Sequence, residues 1–132
     1  MGDGVSQFLV DTHTLLWWLS NQELLSTKAN AVLRDPRNTL LVSAATAWEL
    51  AIKVKAGKLK ISVRLNDVLV LLEEAGFLAL PITLDHAVRA GALPEHHRDP
   101  FDRMLIAQAQ AEGLAVLSND RLFDPYGVKR IW

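Results

Sequence analysis

Short apolar segments of β-type composition alternate with longer helical segments along most of the chain. This order constrains the fold more than any other feature, because it is typical of βαβ units, in which helices cover both faces of a parallel sheet. We therefore predict one α/β domain over residues 1–132, with a disordered leader at residues 1–7. The candidate strands are FLVD (8–11), TLLVS (39–43), FLALPI (77–82), LAVLSND (114–120) and VKRIW (128–132).

Capping residues delimit several of the helices predicted between these strands. Ser, Thr and Asp accept hydrogen bonds from the free N–H groups of a first helical turn, and Gly adopts the left-handed conformation that ends a helix. Ser26, Thr83 and Asp99 are predicted starts, whereas Gly57 and Gly113 are predicted ends. The predicted helices cover residues 12–22, 26–35, 44–57, 64–76, 83–93 and 100–113.

Composition and charge narrow the possible functions. Half of the 132 residues are hydrophobic, and the absence of cysteine excludes disulfides and thiolate metal sites. The formal charge of -1 gives no global attraction to nucleic acid or membranes, so any nucleic-acid binding must come from a local patch. No apolar run reaches bilayer-spanning length and nothing resembles a signal peptide, so we expect a cytoplasmic protein without membrane contact.

Four acidic residues fall where the strands of a parallel sheet end. Asp11 ends the first strand, Asp120 follows the fourth, Glu49 lies on the helix after the second, and Asp102 lies in the first turn of the last long helix. The carboxyl ends of parallel strands meet at one edge of the sheet, so these four acids can converge there. Crowded carboxylates repel one another, and hard oxygen ligands suit Mg²⁺ or Mn²⁺. Such an ion activates water and stabilises charge on a phosphate.

Each acid also has a plain structural interpretation. Asp11 can cap the first helix, and Asp120 can be a turn residue. Glu49 and Lys53 are spaced i,i+4, which is typical of a solvent-facing ion pair. Only their combination at one sheet edge favours a metal site.

The motif DPFD (99–102) leaves open which aspartate caps the last long helix. Asp99 precedes Pro100 as an N-cap should, and Asp102 at the third helical position can close a capping box. Asp102 is nevertheless in register with the apolar residues Leu105 and Ile106. A carboxylate on a buried face costs free energy unless something pairs with it.

Four segments of the chain closely resemble PIN-domain proteins, specifically the VapC-type toxins of bacterial toxin–antitoxin pairs. They are FLVDTHTLLWWL, VSAATAWELAIKVKAGKL, HHRDPFDRMLIAQAQAEGLAVLSND and VKRIW, so the resemblance runs from residue 8 to the C-terminus. It implies a three-layer α/β/α fold with about five parallel strands in the order 3-2-1-4-5. It also implies a divalent-metal-dependent endoribonuclease that uses Mg²⁺ or Mn²⁺ to cut RNA and inhibit translation.

The resemblance further implies the site residues and the partners. Asp99 becomes the helix cap, and Ser118 stands where the family commonly has threonine and orients a carboxylate or water. The partners are a second copy of this chain and a small antitoxin that blocks the acidic pocket. A catalytically silent RNA- or protein-binding module of the same fold is the alternative. The implied catalytic and metal-binding acids are Asp11, Glu49, Asp102 and Asp120.

A basic segment, KVKAGKLKISVR (53–64), is the best candidate for holding RNA phosphates in a chain of near-zero charge. Its other interpretation is a solvated face. Arg103, beside Asp102, is a further candidate for RNA contact, as are Arg98 and Arg121. The basic residues of the segment are Lys53, Lys55, Lys58, Lys60 and Arg64.

Two rival classes and one aromatic residue complete the sequence-based expectations. A phospho-accepting receiver domain would need paired acids after the first strand, which VDTH does not supply. A metal-independent ribonuclease would use histidine pairs, but His96 and His97 lie in a loop with no clear partner. Trp17 lies off the apolar stripe of its helix, so it is either half covered by a neighbouring element or a contact for a partner chain.

Overall fold

A five-stranded parallel sheet lies at the centre of the computed structural model, which describes residues 6–132. The strand order is β3-β2-β1-β4-β5, which confirms the implied 3-2-1-4-5 order. β1 is central, and its Leu9 lies opposite Leu41 of β2 and Val116 of β4. The winding direction therefore reverses between β1 and β4, where ligand sites of such sheets lie. The strands are β1 (Gln7–Val10), β2 (Thr39–Ser43), β3 (Leu78–Leu80), β4 (Ala115–Leu117) and β5 (Arg130–Ile131).

The helices follow the predicted order, with caps at the predicted starts. Ser26 Oγ accepts a hydrogen bond from Ala29 N, and Thr83 Oγ1 accepts one from His86 N. The third helix ends two residues before Gly57, which has a φ of 71°. The helices are α1 (Thr12–Ser20), α2 (Thr27–Arg34), α3 (Ala44–Lys55), α4 (Leu65–Glu74), α5 (Leu84–Ala92) and α6 (Pro100–Glu112), and two 3-10 helices cover Gln22–Leu24 and Arg121–Tyr126.

Two apolar clusters cover the two faces of the sheet. β1 sends Phe8 and Val10 into a cluster shared with α1 to α4, and it sends Leu9 into a cluster dominated by α6. This alternation follows from the period of two along a strand. Helices α1 to α4 lie on one face of the sheet, and α6, with α5 packed on it, lies on the other. The α/β/α layering is therefore confirmed.

The structure corrects the expected extent of the leader and contains a helix where no element was predicted. Gln7 belongs to β1, and Thr39 N donates a hydrogen bond of 2.8 Å to Ser6 O, so the leader expected at residues 1–7 extends too far. The rest of that expectation, residues 1–5, lies outside the described residues. The 3-10 helix Arg121–Tyr126, which contains Pro125, lies between the fourth and fifth predicted strands, where no element was predicted. Among residues 6–132, no helix combines the length and apolar character that crossing a membrane requires.

Candidate active site

The four acids predicted from the sequence meet at the carboxyl edge of the sheet. Asp11 directly follows β1, and Glu49 lies on α3, which begins directly after β2. Asp120 follows β4, and Asp102 lies in the first turn of α6. Asp11, Glu49 and Asp120 all raise the pKa of Asp102 by their charge, which places the four carboxylates in one electrostatic neighbourhood. We call these four residues the acidic pocket.

Asp11 is both a helix cap and a member of the acidic pocket. Its Oδ1 accepts a hydrogen bond of 2.8 Å from Thr14 N at the start of α1, and its Oδ2 accepts one from Ser118 Oγ. Burial raises the pKa of Asp11, whereas the hydrogen bonds from Ser118 and Thr14 favour its charged form. Ser118 Oγ also accepts from Asp120 N at 3.0 Å, so this hydroxyl links two of the acids.

Glu49 is buried and does not form the solvent-facing pair that its spacing suggested. Its side chain is 3% exposed, and it accepts hydrogen bonds from Thr12 Oγ1 at 2.8 Å and from Lys53 Nζ at 2.6 Å. Only Lys53 reaches solvent, with 39% of its side chain exposed. The hydrogen bond to Glu49 raises the pKa of Lys53, so this ammonium stays charged and compensates one pocket carboxylate.

Asp102 points into the pocket, and Asp99 caps α6. Asp99 Oδ1 accepts hydrogen bonds from Phe101 N at 2.8 Å and Asp102 N at 3.4 Å. The Asp102 side chain is 16% exposed. Burial, followed by the charges of Asp99 and the other pocket acids, raises the pKa of Asp102 to about 8. A buried carboxyl crowded by other acids is a setting in which a bound cation would stabilise the charged form.

His97 lies against the acidic pocket, and the sequence did not reveal this contact. Its Nε2 lies 3.0 Å from Asp102 Oδ2 and 3.2 Å from Asp120 Oδ2, so the expectation that it has no clear partner is wrong. The partners come from α6 and from the loop after β4, and only the fold brings them to the α5–α6 loop. The sequence signal was weak: a histidine two residues before the N-cap of the helix that carries Asp102.

The guanidinium of Arg103 binds the protein backbone. It donates hydrogen bonds to four backbone carbonyls at 2.8 to 3.2 Å, and the contact with RNA predicted for it stays a prediction. The carbonyls belong to Ala90, Leu93, Pro94 and His97, which flank the turn from α5 to α6.

Trp17 is half-buried and is partly covered by a neighbouring element, as one of its two interpretations predicted. Its ring packs at 5.7 Å from the ring of Trp132, next to the last strand.

The donor set of the pocket fits a divalent cation. Among the described residues, one nitrogen of His97 and one carboxylate oxygen each of Asp102 and Asp120 all lie within 4.8 Å of one another. Asp11 and Glu49, which the resemblance implies as ligands, are not in that tight group but are close enough to affect Asp102. Carboxylate oxygens dominate the set, as Mg²⁺ and Mn²⁺ prefer.

Comparison with known proteins agrees with this geometry. The PIN-domain family model matches residues 8–129, nearly the whole chain. The chain belongs to the PIN-domain family. The resemblance found in the sequence is therefore confirmed.

Individual relatives resemble this PIN domain over most of their length. Ribonuclease VapC22 of Mycobacterium tuberculosis is 29% identical over 114 residues, which cover 86% of each chain. VapBC2 from Rickettsia felis, solved with a promoter DNA fragment, has a TM-score of 0.69 at 12% identity, covering 95% of this chain and 97% of that one. DNA-bound VapBC from Salmonella typhimurium has a TM-score of 0.66 at 19% identity, covering 96% and 97%. At these identities the solved structures establish the shared fold.

Proposed function

We propose that this PIN domain is a divalent-metal-dependent endoribonuclease and the toxin of a type II toxin–antitoxin pair. The observation that carries the proposal is the convergence of Asp11, Glu49, Asp102 and Asp120 at the winding reversal of the sheet, with the pKa of Asp102 raised to about 8. The name of its relative, Ribonuclease VapC22, supports RNA as the substrate.

The four acids of the acidic pocket would hold a cation, and neighbouring residues hold those acids in place through hydrogen bonds. Asp11, Glu49, Asp102 and Asp120 would hold Mg²⁺ or Mn²⁺. The chemistry that such an ion supplies is activation of water and stabilisation of charge that develops on the phosphate. Ser118 fixes the orientation of the Asp11 carboxylate, and the backbone N–H of Thr14 holds its other oxygen. Lys53 donates a hydrogen bond to the Glu49 carboxylate inside the fold.

The basic segment 53–64 supplies candidates for phosphate contact. Lys55, Lys58 and Lys60 are exposed, whereas Leu59 and Ile61 pack against the core cluster on the α1–α4 face. This alternation anchors the segment and leaves the lysine side chains directed toward solvent. We infer that these three lysines hold RNA phosphates, while Lys53 serves the pocket.

The proposed partners are an antitoxin whose tail blocks the acidic pocket and a second copy of this chain. Solved relatives named as VapBC complexes support the antitoxin. Exposed apolar side chains also leave surface for partner chains, notably Leu84 at 88%, Val88 at 73% and Trp48 at 63% exposed. We also propose a cytoplasmic location, where RNA involved in translation is found.

RNA cleavage with and without metal tests the proposed function. The purified protein should cut RNA with Mg²⁺ or Mn²⁺ and stop in EDTA, and Asp11→Asn should lose the activity without a change in circular dichroism. Asp35→Asn is the matched control, because Asp35 pairs with Arg37 on the surface. Undiminished cleavage in chelator would contradict metal catalysis. Metal-dependent RNA binding without cleavage would favour the silent module.

The salt dependence of RNA binding tests the basic segment. Changing Lys55, Lys58 and Lys60 together to Gln should weaken binding and reduce the slope of log affinity against log salt by about 0.7 per lost phosphate contact on single-stranded RNA. Lys28 and Lys129 are exposed lysines outside the segment, and their change to Gln is the control. An unchanged slope in the triple variant would mean that the segment is a solvated face.

A further inference from the structure

The backbone of His97 is held from both sides by side chains. Tyr126 Oη accepts a hydrogen bond of 2.7 Å from His97 N and donates one of 2.7 Å to Pro94 O. On the other side, Arg103 Nη1 donates to His97 O at 3.2 Å. Tyr126 comes from the 3-10 helix after β4 and Arg103 from α6, so the loop that carries His97 is tied to both elements that supply its acidic neighbours.

The imidazole ring of His97 is just as constrained. Its side chain is 8% exposed, and its Nδ1 accepts a hydrogen bond of 3.3 Å from Asp99 N. A ring nitrogen that accepts a hydrogen bond carries no hydrogen, so in the neutral ring the hydrogen is on Nε2. This N–H faces Asp102 Oδ2 and Asp120 Oδ2.

We infer that His97 is a positioning residue, which holds the carboxylates of Asp102 and Asp120 side by side through its Nε2–H group and is not itself a ligand of the cation. The inference rests on the proposed metal-dependent function. One N–H shared between two carboxylates opposes their repulsion and fixes their oxygens. Groups that orient metal ligands in this way tune metal affinity without touching the ion.

A role as metal ligand conflicts with the same hydrogen bonds. Coordination through Nε2 requires that nitrogen to lose its hydrogen, which then moves to Nδ1. A hydrogen on Nδ1 would face the N–H of Asp99, and two donors would oppose each other at 3.3 Å. The hydrogen bond from Asp99 N at the start of α6 therefore favours the Nε2–H tautomer of His97. This tautomer can donate to the two aspartates but cannot bind a cation through Nε2.

Nuclear magnetic resonance of the metal-free protein reads the tautomer without any activity assay. In ¹⁵N-labelled protein at a pH above the raised pKa of Asp102, which is about 8, long-range ¹H–¹⁵N correlation of the His97 ring should show a protonated Nε2 and an unprotonated Nδ1. His86 is an internal reference, because its Nδ1 accepts from Thr83 N at 3.1 Å. A hydrogen on Nδ1 of His97 in the neutral ring, or on both nitrogens, would overturn the inference.

Binding of Mn²⁺ alone tests the positioning role. His97→Leu removes the donor and should weaken Mn²⁺ binding by about 10- to 100-fold. His97→Gln keeps an N–H at a similar reach and should restore most of the affinity. His96→Gln is the matched control, because His96 is exposed and next to His97 in the sequence. Equal affinity in His97→Leu and the parent protein would overturn the inference.

Electron spin echo measurements on the Mn²⁺-loaded protein decide between positioning and ligation. No directly coordinated histidine nitrogen should be seen, and a coordinated nitrogen that disappears in His97→Gln would overturn the inference. If His97→Leu fails to fold, the tautomer and the spin echo measurements still decide. A parent protein that binds no Mn²⁺ would overturn both the metal-dependent function and the positioning role of His97. A hydrogen on Nδ1 of His97 in a protein that does bind Mn²⁺ would overturn the positioning role alone.

Discussion

Two buried histidines make almost the same hydrogen bonds in two different settings. His86 Nδ1 accepts from Thr83 N, and His86 Nε2 lies 3.0 Å from Glu112 Oε2. His97 Nδ1 accepts from Asp99 N, and its Nε2 lies between two aspartates. The first arrangement joins α5 to α6, and the second sits in the acidic pocket.

The difference lies in the carboxylates, not in the rings. The Glu112 side chain is 47% exposed, so water solvates it and the contact serves packing. Asp102 is 16% exposed, and burial together with neighbouring carboxylates raises its pKa to about 8. The Nε2 group therefore joins two helices in one place and faces crowded, buried carboxylates in the other. Function follows from the crowding of the acids.

The largest expected effect separates the two histidine-bound acids by activity. Asp102→Asn should reduce metal-dependent RNA cleavage by more than the 10- to 100-fold that loss of a group merely orienting a ligand typically costs. Glu112→Gln should cleave at the rate of the parent protein, since Glu112 lies at the C-terminal end of α6. Initial rates on a labelled RNA measure both variants. Equal losses would erase the distinction between the two settings.

The pH dependence of stability should also differ between variants of Asp102 and Glu112. Because the folded-state pKa of Asp102, about 8, lies above the ordinary 3.8, the folded metal-free protein binds this proton more tightly than the unfolded chain. The contribution of Asp102 to the free energy of unfolding should therefore be highest below about pH 4. It should fall as the pH rises toward 8, by up to about 1.4 kcal/mol per pH unit. Asp102→Asn should flatten this fall, whereas Glu112→Gln should not. Urea unfolding in EDTA at several pH values measures the slopes.

The smallest effect concerns the caps beside each histidine. Asp99→Ala and Thr83→Ala should each lower the free energy of unfolding by about 1 kcal/mol, because each removes an acceptor for first-turn N–H groups. Neither should abolish Mn²⁺ binding. Denaturant unfolding and a Mn²⁺ titration measure the two properties. Loss of Mn²⁺ binding in Asp99→Ala would make Asp99 a ligand and reverse the assignment within DPFD.

The sequence predicted a parallel α/β sheet with acids at one edge because both depend on local patterns, whereas the strand order was implied by the resemblance to PIN domains. Alternating apolar strands and capped helices specify a parallel sheet, and Asp11 and Asp120 are near strand ends that any such sheet brings together. Asp102 was identifiable because it begins an apolar helical face, in register with Leu105 and Ile106. These signals survive without knowledge of any tertiary contact.

The remaining pocket features depend on contacts that no local pattern encodes. The partners of His97 come from two other segments, and Arg103 binds backbone carbonyls, which any residue can supply. Lys53 and Glu49 have the spacing of a surface pair, but burial of Glu49 depends on how α3 packs. Sequence reasoning therefore located the acids and missed what holds them.

Thermal unfolding with Mn²⁺ tests the central claim most directly, because a ligand that binds only the folded state stabilises it by an amount set by its concentration. Starting in EDTA and adding Mn²⁺ to 100 times its dissociation constant should raise the free energy of unfolding by about 2.7 kcal/mol in the parent protein. The same addition should give a similar rise in Glu112→Gln and much less in Asp102→Asn. An unchanged melting temperature in the parent protein, or an equal rise in all three, would contradict a cation site in the acidic pocket.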